Sequence, residues 1–275
     1  GLLFPTPLVD TVAMAGPGSV GRRHSRVSGH PLVMGEYPAA ALAEEIETPG
    51  EGQIKALFVV AGNPVLSTPN GRRLDAALEG LDLMVSIDMY RNATSRRAHY
   101  ILPPVGPLER EHYGLFLLPI AIRNFGKFST PLFEAEEGAL QDWQIIRNLA
   151  EVIGGTPIDR PTPKQAIDSM LRAGPYAISL AEVEAQPSGK DFGPLQAGRL
   201  PERLQTPTKR IDCASPHLIA DLDRLRETMS REQDARRTDK PAAGLEHEGE
   251  ARRRDSRQHR PRIVLGRQGW LTGLV

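Results

Sequence analysis

Cysteine is almost missing from this sequence: Cys213 is the only one in 275 residues. One thiol excludes an internal disulfide framework, and a lone thiolate does not by itself make a zinc or iron–sulfur site. Net charge is missing as well, with 34 Lys and Arg against 34 Asp and Glu, so nothing points to nucleic acid or a membrane surface as a partner. No apolar run approaches the roughly 18 residues of a membrane span. No Walker sequence is present, which disfavours an ATP site. There is no G-x-S-x-G elbow for a serine nucleophile, no H-x-x-x-H pair among the seven histidines, and no internal repeat. The sequence opens on Gly1 with neither Met nor a charged-then-apolar leader. The expectation is a fragment or a processed product, in a cytoplasmic setting.

What is present is enough chain for one or two domains with a real core. Charge is unevenly placed. Residues 231–262 read "REQDARRTDKPAAGLEHEGEARRRDSRQHRPR", almost without large apolar side chains. Such a segment cannot offset its ordering entropy by burial and is expected to be a disordered linker. Its Arg252-Arg253-Arg254 cluster is read as a solvated charge run rather than a phosphate site.

The organised centre begins with "IKALFVVAGNPVLSTPNGRRL", residues 54–74. The run 54–60 has strand length and is rich in β-branched and aromatic residues. A helix is expected after the Gly62-Asn63-Pro64 loop, capped by Ser67 or Thr68, with Pro69 at its first position. Leu74, Ala77 and Leu78 share one face of it, and Gly80 is placed as its left-handed stop. "LDLMVSID" then forms a second strand ending at Asp88. Strand, helix and strand in about 35 residues have the size of one parallel βαβ unit, with strands expected to be buried on both faces. A third run, "YILPPV", stops at its double proline. "LQDWQIIRNLAEVIGG" predicts a helix covering the sheet through Trp143, Ile146, Leu149 or Ala150, and Ile153. Further helices are expected over residues 37–46 and after Ser215-Pro216. Residues 156–207 read as loop-rich.

In an open parallel sheet, ligands sit beyond the carboxyl ends of the strands. Parallel neighbours bring the Gly62–Pro64 loop and Asp88 to one rim. Gly62 permits close backbone approach or a positive φ, Asn63 offers donor and acceptor, and Pro64 stiffens the loop. The N–H groups of a helix starting near Pro69 would favour an anionic group such as a pyrophosphate. A carboxylate such as Asp88 suits ribose hydroxyls or the N–H edge of a guanine, at about 1.5–3 kcal/mol per charged hydrogen bond. Gly-Asn-Pro is equally an ordinary turn tripeptide, and Asp88 can simply cap the next turn. Glu109, Glu111 and His112 follow a proline-rich loop without partners and read as surface residues rather than metal ligands. Cys213 reads as a small buried or half-buried residue.

Taken in order, a Gly-x-Asn-Pro-type loop after a strand, a strand ending in Asp, an "A-D-v-i-L-P"-like strand, a Glu soon after it and an acid–Trp helix start resemble the middle of a molybdopterin oxidoreductase. That family includes formate dehydrogenases, nitrate reductases and dimethyl-sulfoxide-reductase-like enzymes. The resemblance covers residues 1–155 and weakens to about 226. It implies an α/β fold, a Rossmann-like parallel sheet flanked by helices, with an irregular N-terminal segment and a disordered charged tail. It implies molybdenum held by bis(molybdopterin guanine dinucleotide), with Gly62, Asn63 and Pro64 lining one dinucleotide, Asp88 at its guanosine end, and Arg110 and Asp142 near the same ligand. No catalytic or metal-binding residue falls in this chain. An iron–sulfur cluster of the parent enzyme would take its ligands elsewhere.

Departures from the family pattern are His99 in place of an Asp, and Ala93-Thr94 in place of a Glu-Thr pair. A register uncertainty leaves Gln141 as an alternative to Asp142. The implied partners are the parent's N- and C-terminal domains and an electron-transfer subunit. The implied division is a connecting segment (1–50), a dinucleotide-contacting domain (51–155), a loop-rich segment with a helix (156–232), and a charged linker leading into the start of a C-terminal dinucleotide-binding domain (233–275). Two alternatives from other classes are a standalone nucleotide-binding module and an inactive gene remnant.

Overall fold

In the computed structural model the described residues are 5–15, 18–238 and 262–263. They fall into two compact units, one running to Gly198 and including Arg262–Ile263, the other beginning at Arg199. The first unit opens with α1 (Thr11–Ala15) and an antiparallel pair, β1 (Val20–His24) and β2 (Pro31–Val33). The helix expected over 37–46 starts as a single 3₁₀ turn (Ala39–Ala41) and continues as α2 (Leu42–Glu47). Glu45 of α2 ties this segment down, accepting from Arg26 Nε at 3.2 Å and from Val27 N–H at 2.9 Å.

β3 (Ala56–Val60), α3 (Pro64–Ser67), α4 (Gly71–Ala77), β4 (Leu83–Ile87) and β5 (Tyr100–Ile101) follow. β3 and β4 are parallel from Ala56 opposite Leu83 to Val60 opposite Ile87, and β5 joins the other side of β4 in parallel. The fold is α/β, a parallel sheet with helices packed on it. Val59, Met84 and Ile101 of the sheet pack with Leu74, Ala77 and Leu78, and with Ala43 and Ile46 of α2. Full burial of each large aliphatic side chain is worth roughly 1.5–3 kcal/mol, so this layer anchors the unit. The opposite face is less covered than expected. Val85 and Ile87 are buried, but Phe58 and Val60 are exposed, because β3 is the edge strand and its even-numbered residues share that face.

The helix between β3 and β4 differs from expectation. Pro64, not Pro69, occupies a first helical position, with Asn63 as N-cap. The proline at 69 ends this helix: it drives Thr68 to an extended conformation (φ −103°, ψ 154°). α4 restarts at Gly71 behind Asn70, which takes the left-handed conformation. Gly80 is not a left-handed stop; it ends a 3₁₀ turn (Leu78–Gly80) that passes directly to an extended Leu81.

β6 (His112–Tyr113) pairs antiparallel with β8 (Phe128–Ser129), while β7 (Arg123–Gly126) pairs antiparallel with β9 (Lys190–Pro194). α5 (Asp142–Gly154) spans the residues expected, capped by Gln141 and Gln144, but gives no side chain to the apolar cluster on the sheet that it was expected to cover. Its buried residue is Ile145, whereas Ile146 and Ile153 are exposed, so the expected apolar face is wrong by one position. Trp143 sits among polar partners instead. Its Nε1 donates to Gln141 Oε1 at 2.9 Å and the Arg147 guanidinium lies 5.0 Å from the ring centroid.

The segment read as loop-rich holds α6 (Pro163–Ala173) and α7 (Leu180–Glu184), each opened by a capping box: Thr162 with Gln165, Ser179 with Glu182. Leu171, Leu180 and Val183 join Leu8, Val9, Tyr113 and Phe128 in a second apolar cluster. Burial in this cluster pushes the Tyr113 phenol up from 10.0 to about 12. The folded state therefore holds this proton more tightly than the unfolded chain. The stability it contributes is complete below about pH 10 and is lost as the pH rises toward 12, at about 1.4 kcal/mol per pH unit. Alkaline melts should show this slope, and Tyr113→Phe should flatten it.

β10 (Arg262–Ile263) pairs in parallel with β5, giving the sheet order β10-β5-β4-β3. In the second unit, α8 (Pro216–Thr238) starts as expected, with the Ser215 carbonyl accepting from Leu218 and Ile219 N–H. Residues 231–238, expected to be disordered linker, continue this helix. The rest of that linker, 239–261, and residues 264–275 of the expected C-terminal domain start lie outside the described residues. Cys213 is exposed, not buried.

Candidate functional site at the carboxyl ends of the strands

Because β3 and β4 are parallel, the residues that follow them leave the sheet at one edge. The Ala61 N–H donates to the Ile87 carbonyl at 2.9 Å, carrying the pairing one residue past β3. Ala61 then turns the chain at φ +48°, a left-handed conformation that costs a non-glycine residue about 1–2 kcal/mol. Of the two uses open to Gly62, close backbone approach or a positive φ, the second is not taken. A Cβ there would meet Val59, the Val60 carbonyl and the Pro64 ring only at ordinary contact distances of 3.7–3.8 Å.

Asn63 stands at the N-cap of α3 without capping it. The cap comes from Thr94, 29 residues beyond Val65: its Oγ1 accepts from the Val65 N–H at 3.0 Å and donates to Asn63 Oδ1 at 2.8 Å. The Leu66 and Ser67 N–H groups bond to the Asn63 carbonyl at 2.9 and 3.0 Å. The first turn of α3 therefore has no free N–H for an anion.

Thr94 and Ser95 are fully buried. Asn92 Oδ1 accepts from both their N–H groups at 2.9 Å, and Asn92 Nδ2 donates to Asp88 Oδ2 at 2.8 Å. The Tyr90 N–H donates to Asp88 Oδ1 at 2.9 Å. Asn63, Thr94, Asn92 and Asp88 thus form one hydrogen-bonded chain along the rim, and buried networks of this kind hold their members in fixed rotamers. Asp88 does cap the turn after β4. Each of its oxygens takes one donor, so the carboxylate retains acceptor capacity.

Arg91, Asn92, Ala93 and Arg96 line an open depression beside this network. Arg96 and Arg97 both bind Asp75 of α4, at 3.0 and 2.7 Å. The Arg97 hydrogen bond holds the Asp75 carboxyl below the usual carboxylate range, so the 95–97 turn is anchored to the helix.

Arg110 and Asp142 are brought together, Nη1 to Oδ2 at 3.0 Å. The segment before α5 is held to the chain leaving β5 by the Val105 N–H donating to the Leu140 carbonyl at 3.0 Å. This pair forms no hydrogen bond to the Asn63–Asp88 chain. His99 fixes the start of β5 against β4. Its Nδ1 accepts from the Met84 N–H and its own backbone N–H donates to the Met84 carbonyl, both at 2.8 Å. An acceptor is what this position needs, and imidazole supplies one as a carboxylate would. Glu109 Oε2 accepts from the Gly106 N–H at 2.7 Å, and Glu111 lies 3.9 Å from Lys164. Among the described residues no cluster of three or more His, Cys, Asp or Glu could hold a metal ion.

Sequence reasoning missed Asn92 and Ser95 and read Thr94 only as a departure. The signal was the short polar run "RNATS", typical of Asx and Ser/Thr turns. Sequence reasoning also takes G-x-G-x-x-G to be absent and disfavours a nicotinamide site on that ground, whereas residues 16–21 spell the string. Gly21 lies in antiparallel β1 rather than in a strand-to-helix turn, so the string is no dinucleotide fingerprint.

The parallel sheet agrees with the comparisons to known proteins. The profile of the molybdopterin oxidoreductase family matches residues 12–152, and the chain belongs to that family. It is 34% identical over 111 residues to the assimilatory nitrate reductase catalytic subunit of Bacillus subtilis (strain 168), covering 40% of this chain and 15% of that protein. It is 31% identical over 172 residues to the NADPH-Fe(3+) oxidoreductase subunit alpha of Geobacter sulfurreducens, 59% of this chain and 20% of that one. Against the F420-dependent formate dehydrogenase subunit alpha of Methanocaldococcus jannaschii the identity is 32% over 114 residues, 41% and 16% respectively. The chain spans no more than 20% of the length of these relatives. Acetylene hydratase from Pelobacter acetylenicus shares the fold, with a TM-score of 0.50 and 21% identity over 65% of this chain and 24% of that one. Among the described residues no helix is long and apolar enough to cross a membrane.

Proposed function

We propose that this chain is part of a molybdenum-dependent oxidoreductase and forms one wall of the site for the nucleotide end of its cofactor, a molybdopterin guanine dinucleotide. The observation that carries this reading is the hydrogen-bonded chain from Asn63 to Asp88 along one rim. Within it the Asn63 Oδ1 is occupied by Thr94 while its amide NH₂ has no partner among the described residues. A fixed amide donor beside a carboxylate with spare lone pairs fits a guanosine, whose N–H edge and hydroxyls need an acceptor. Gly62 and Pro64 border the same ligand, and the Arg91 guanidinium is the nearby cation for its phosphates. Arg110 and Asp142 border it from the chain beyond β5.

The bound molybdenum centre supplies the redox chemistry, and this chain's residues bind and orient its nucleotide end. No residue here acts as nucleophile or general base. With one cysteine, the chain does not itself hold a four-cysteine iron–sulfur cluster, so the cluster proposed for the parent is ligated elsewhere. The remaining domains of that enzyme and an electron-transfer subunit are its proposed partners, in a cytoplasmic setting. The segment 51–155 is the proposed dinucleotide-contacting domain.

Producing the chain in a host that makes molybdenum cofactor, then assaying pterin fluorescence and molybdenum content, tests this directly. Pterin should co-purify with the wild-type chain and be lost in an Asp88→Ala variant that keeps its circular dichroism. No pterin on the wild-type chain, even with cofactor supplied, overturns the reading.

A further inference from the structure

The second unit carries an apolar stripe unrelated to the rim. On α8, Leu218, Leu222, Leu225 and Met229 follow one another at spacings of four, three and four residues, and are 70%, 41%, 47% and 52% exposed. That is the alternating spacing of the d and a positions of a heptad, and it forms a narrow seam along one side of a helix. Of the four e and g positions beside the seam, two are charged and two are Ile219 and Thr228. Asp221 occupies the g position before Leu222 and Arg226 the e position after Leu225. In a parallel two-stranded coiled coil, a g residue faces the partner's e residue five positions on. Asp221 therefore meets the partner's Arg226, and by symmetry Arg226 meets the partner's Asp221. Within one copy these side chains make only exposed i,i+3 pairs, Asp221 with Arg224 and Arg226 with Asp223, which are easily exchanged.

We propose that α8 is a self-association element: the Leu218–Met229 seam pairs in parallel with the same seam of a second copy of this chain, and two Asp221–Arg226 ion pairs set the orientation. An arbitrary apolar partner accounts for the stripe alone. Self-pairing accounts for the stripe together with flanking charges of opposite sign at the required separation.

Sedimentation of the full 275-residue chain over a concentration series measures the dimer constant. Asp221→Arg and Arg226→Asp should each weaken the dimer about tenfold, by turning two attractions into two repulsions. The double charge swap should restore it, and Leu222→Asp with Leu225→Asp should give monomer. None of these changes touches the packed core, and far-UV circular dichroism verifies that each variant is folded. Cys213, exposed just before the helix, reports direction: a bis-maleimide should link Cys213 to the partner's Cys213 in the wild type and not in the Leu222→Asp/Leu225→Asp variant. A chain that stays monomeric at all concentrations overturns the proposal. So does a dimer indifferent to the charge swaps, or one that yields no Cys213 cross-link.

Discussion

Gly71→Ala is expected to destabilise the sheet unit by about 3 kcal/mol, visible as a melting temperature lower by about 10 °C. A Cβ at this position would lie inside the van der Waals contact of the Val65 carbonyl oxygen and at 3.0 Å from its carbonyl carbon. Both atoms are backbone, so no side chain can swing aside to relieve the clash. Alanine ordinarily gains about 0.5–1 kcal/mol over glycine inside a helix, but that gain is smaller than the cost of opening the α3–α4 junction. The junction matters for the rim, because α3 begins at Asn63 and Pro64. An unchanged melt would mean that α3 and α4 do not pack as closely as described.

Thr94→Val should cost about 1–3 kcal/mol although the two side chains have almost the same shape. The substitution removes the acceptor for the Val65 N–H and the donor to Asn63 Oδ1 in one step. Val65 is half-buried and loses its only cap. Asn63 is freed to rotate, so guanosine-nucleotide affinity should fall by about tenfold or more, which corresponds to losing one fixed hydrogen bond. Loss of stability with affinity unchanged would separate the cap from the ligand site and count against the proposed function.

The parts of the fold legible in the sequence were those dominated by local pattern. β3 and β4 show as unbroken apolar runs, Asp88 as the polar residue that ends one of them, and α5 as a helix bounded by a polar start and a glycine pair. Errors arose where one residue type serves two purposes. Proline opens a helix or ends one, and Pro69 does the second because Thr68 before it is forced to extend. The face of α5 was misjudged because the large apolar side chain of Trp143 is held by Gln141 and Arg147 rather than by a core. α6 and α7 were missed although "TPKQ" and "SLAE" spell capping boxes and Ile167, Met170 and Leu171 of α6 repeat at helical spacing.

The rim itself was half legible. Parallel pairing alone brings Asn63 and Asp88 to one edge, so that much follows from reading two adjacent strands. The Thr94 bridge is a different matter, because its partners are 29 and 31 residues away in sequence, and no spacing rule connects them. His99 departs from the family pattern yet still serves as an acceptor toward Met84, so that departure leaves the strand ends in place.

The most direct measurement is a titration of the isotopically labelled chain with guanosine diphosphate, followed through the side-chain amide resonances of Asn63 and the backbone resonances of residues 88–95. A rim that holds the nucleotide should give saturable shifts at these positions, larger than those caused by adenosine diphosphate and absent in Asp88→Ala. Shifts confined to other regions, or no shifts at the Asn63 amide, would contradict it.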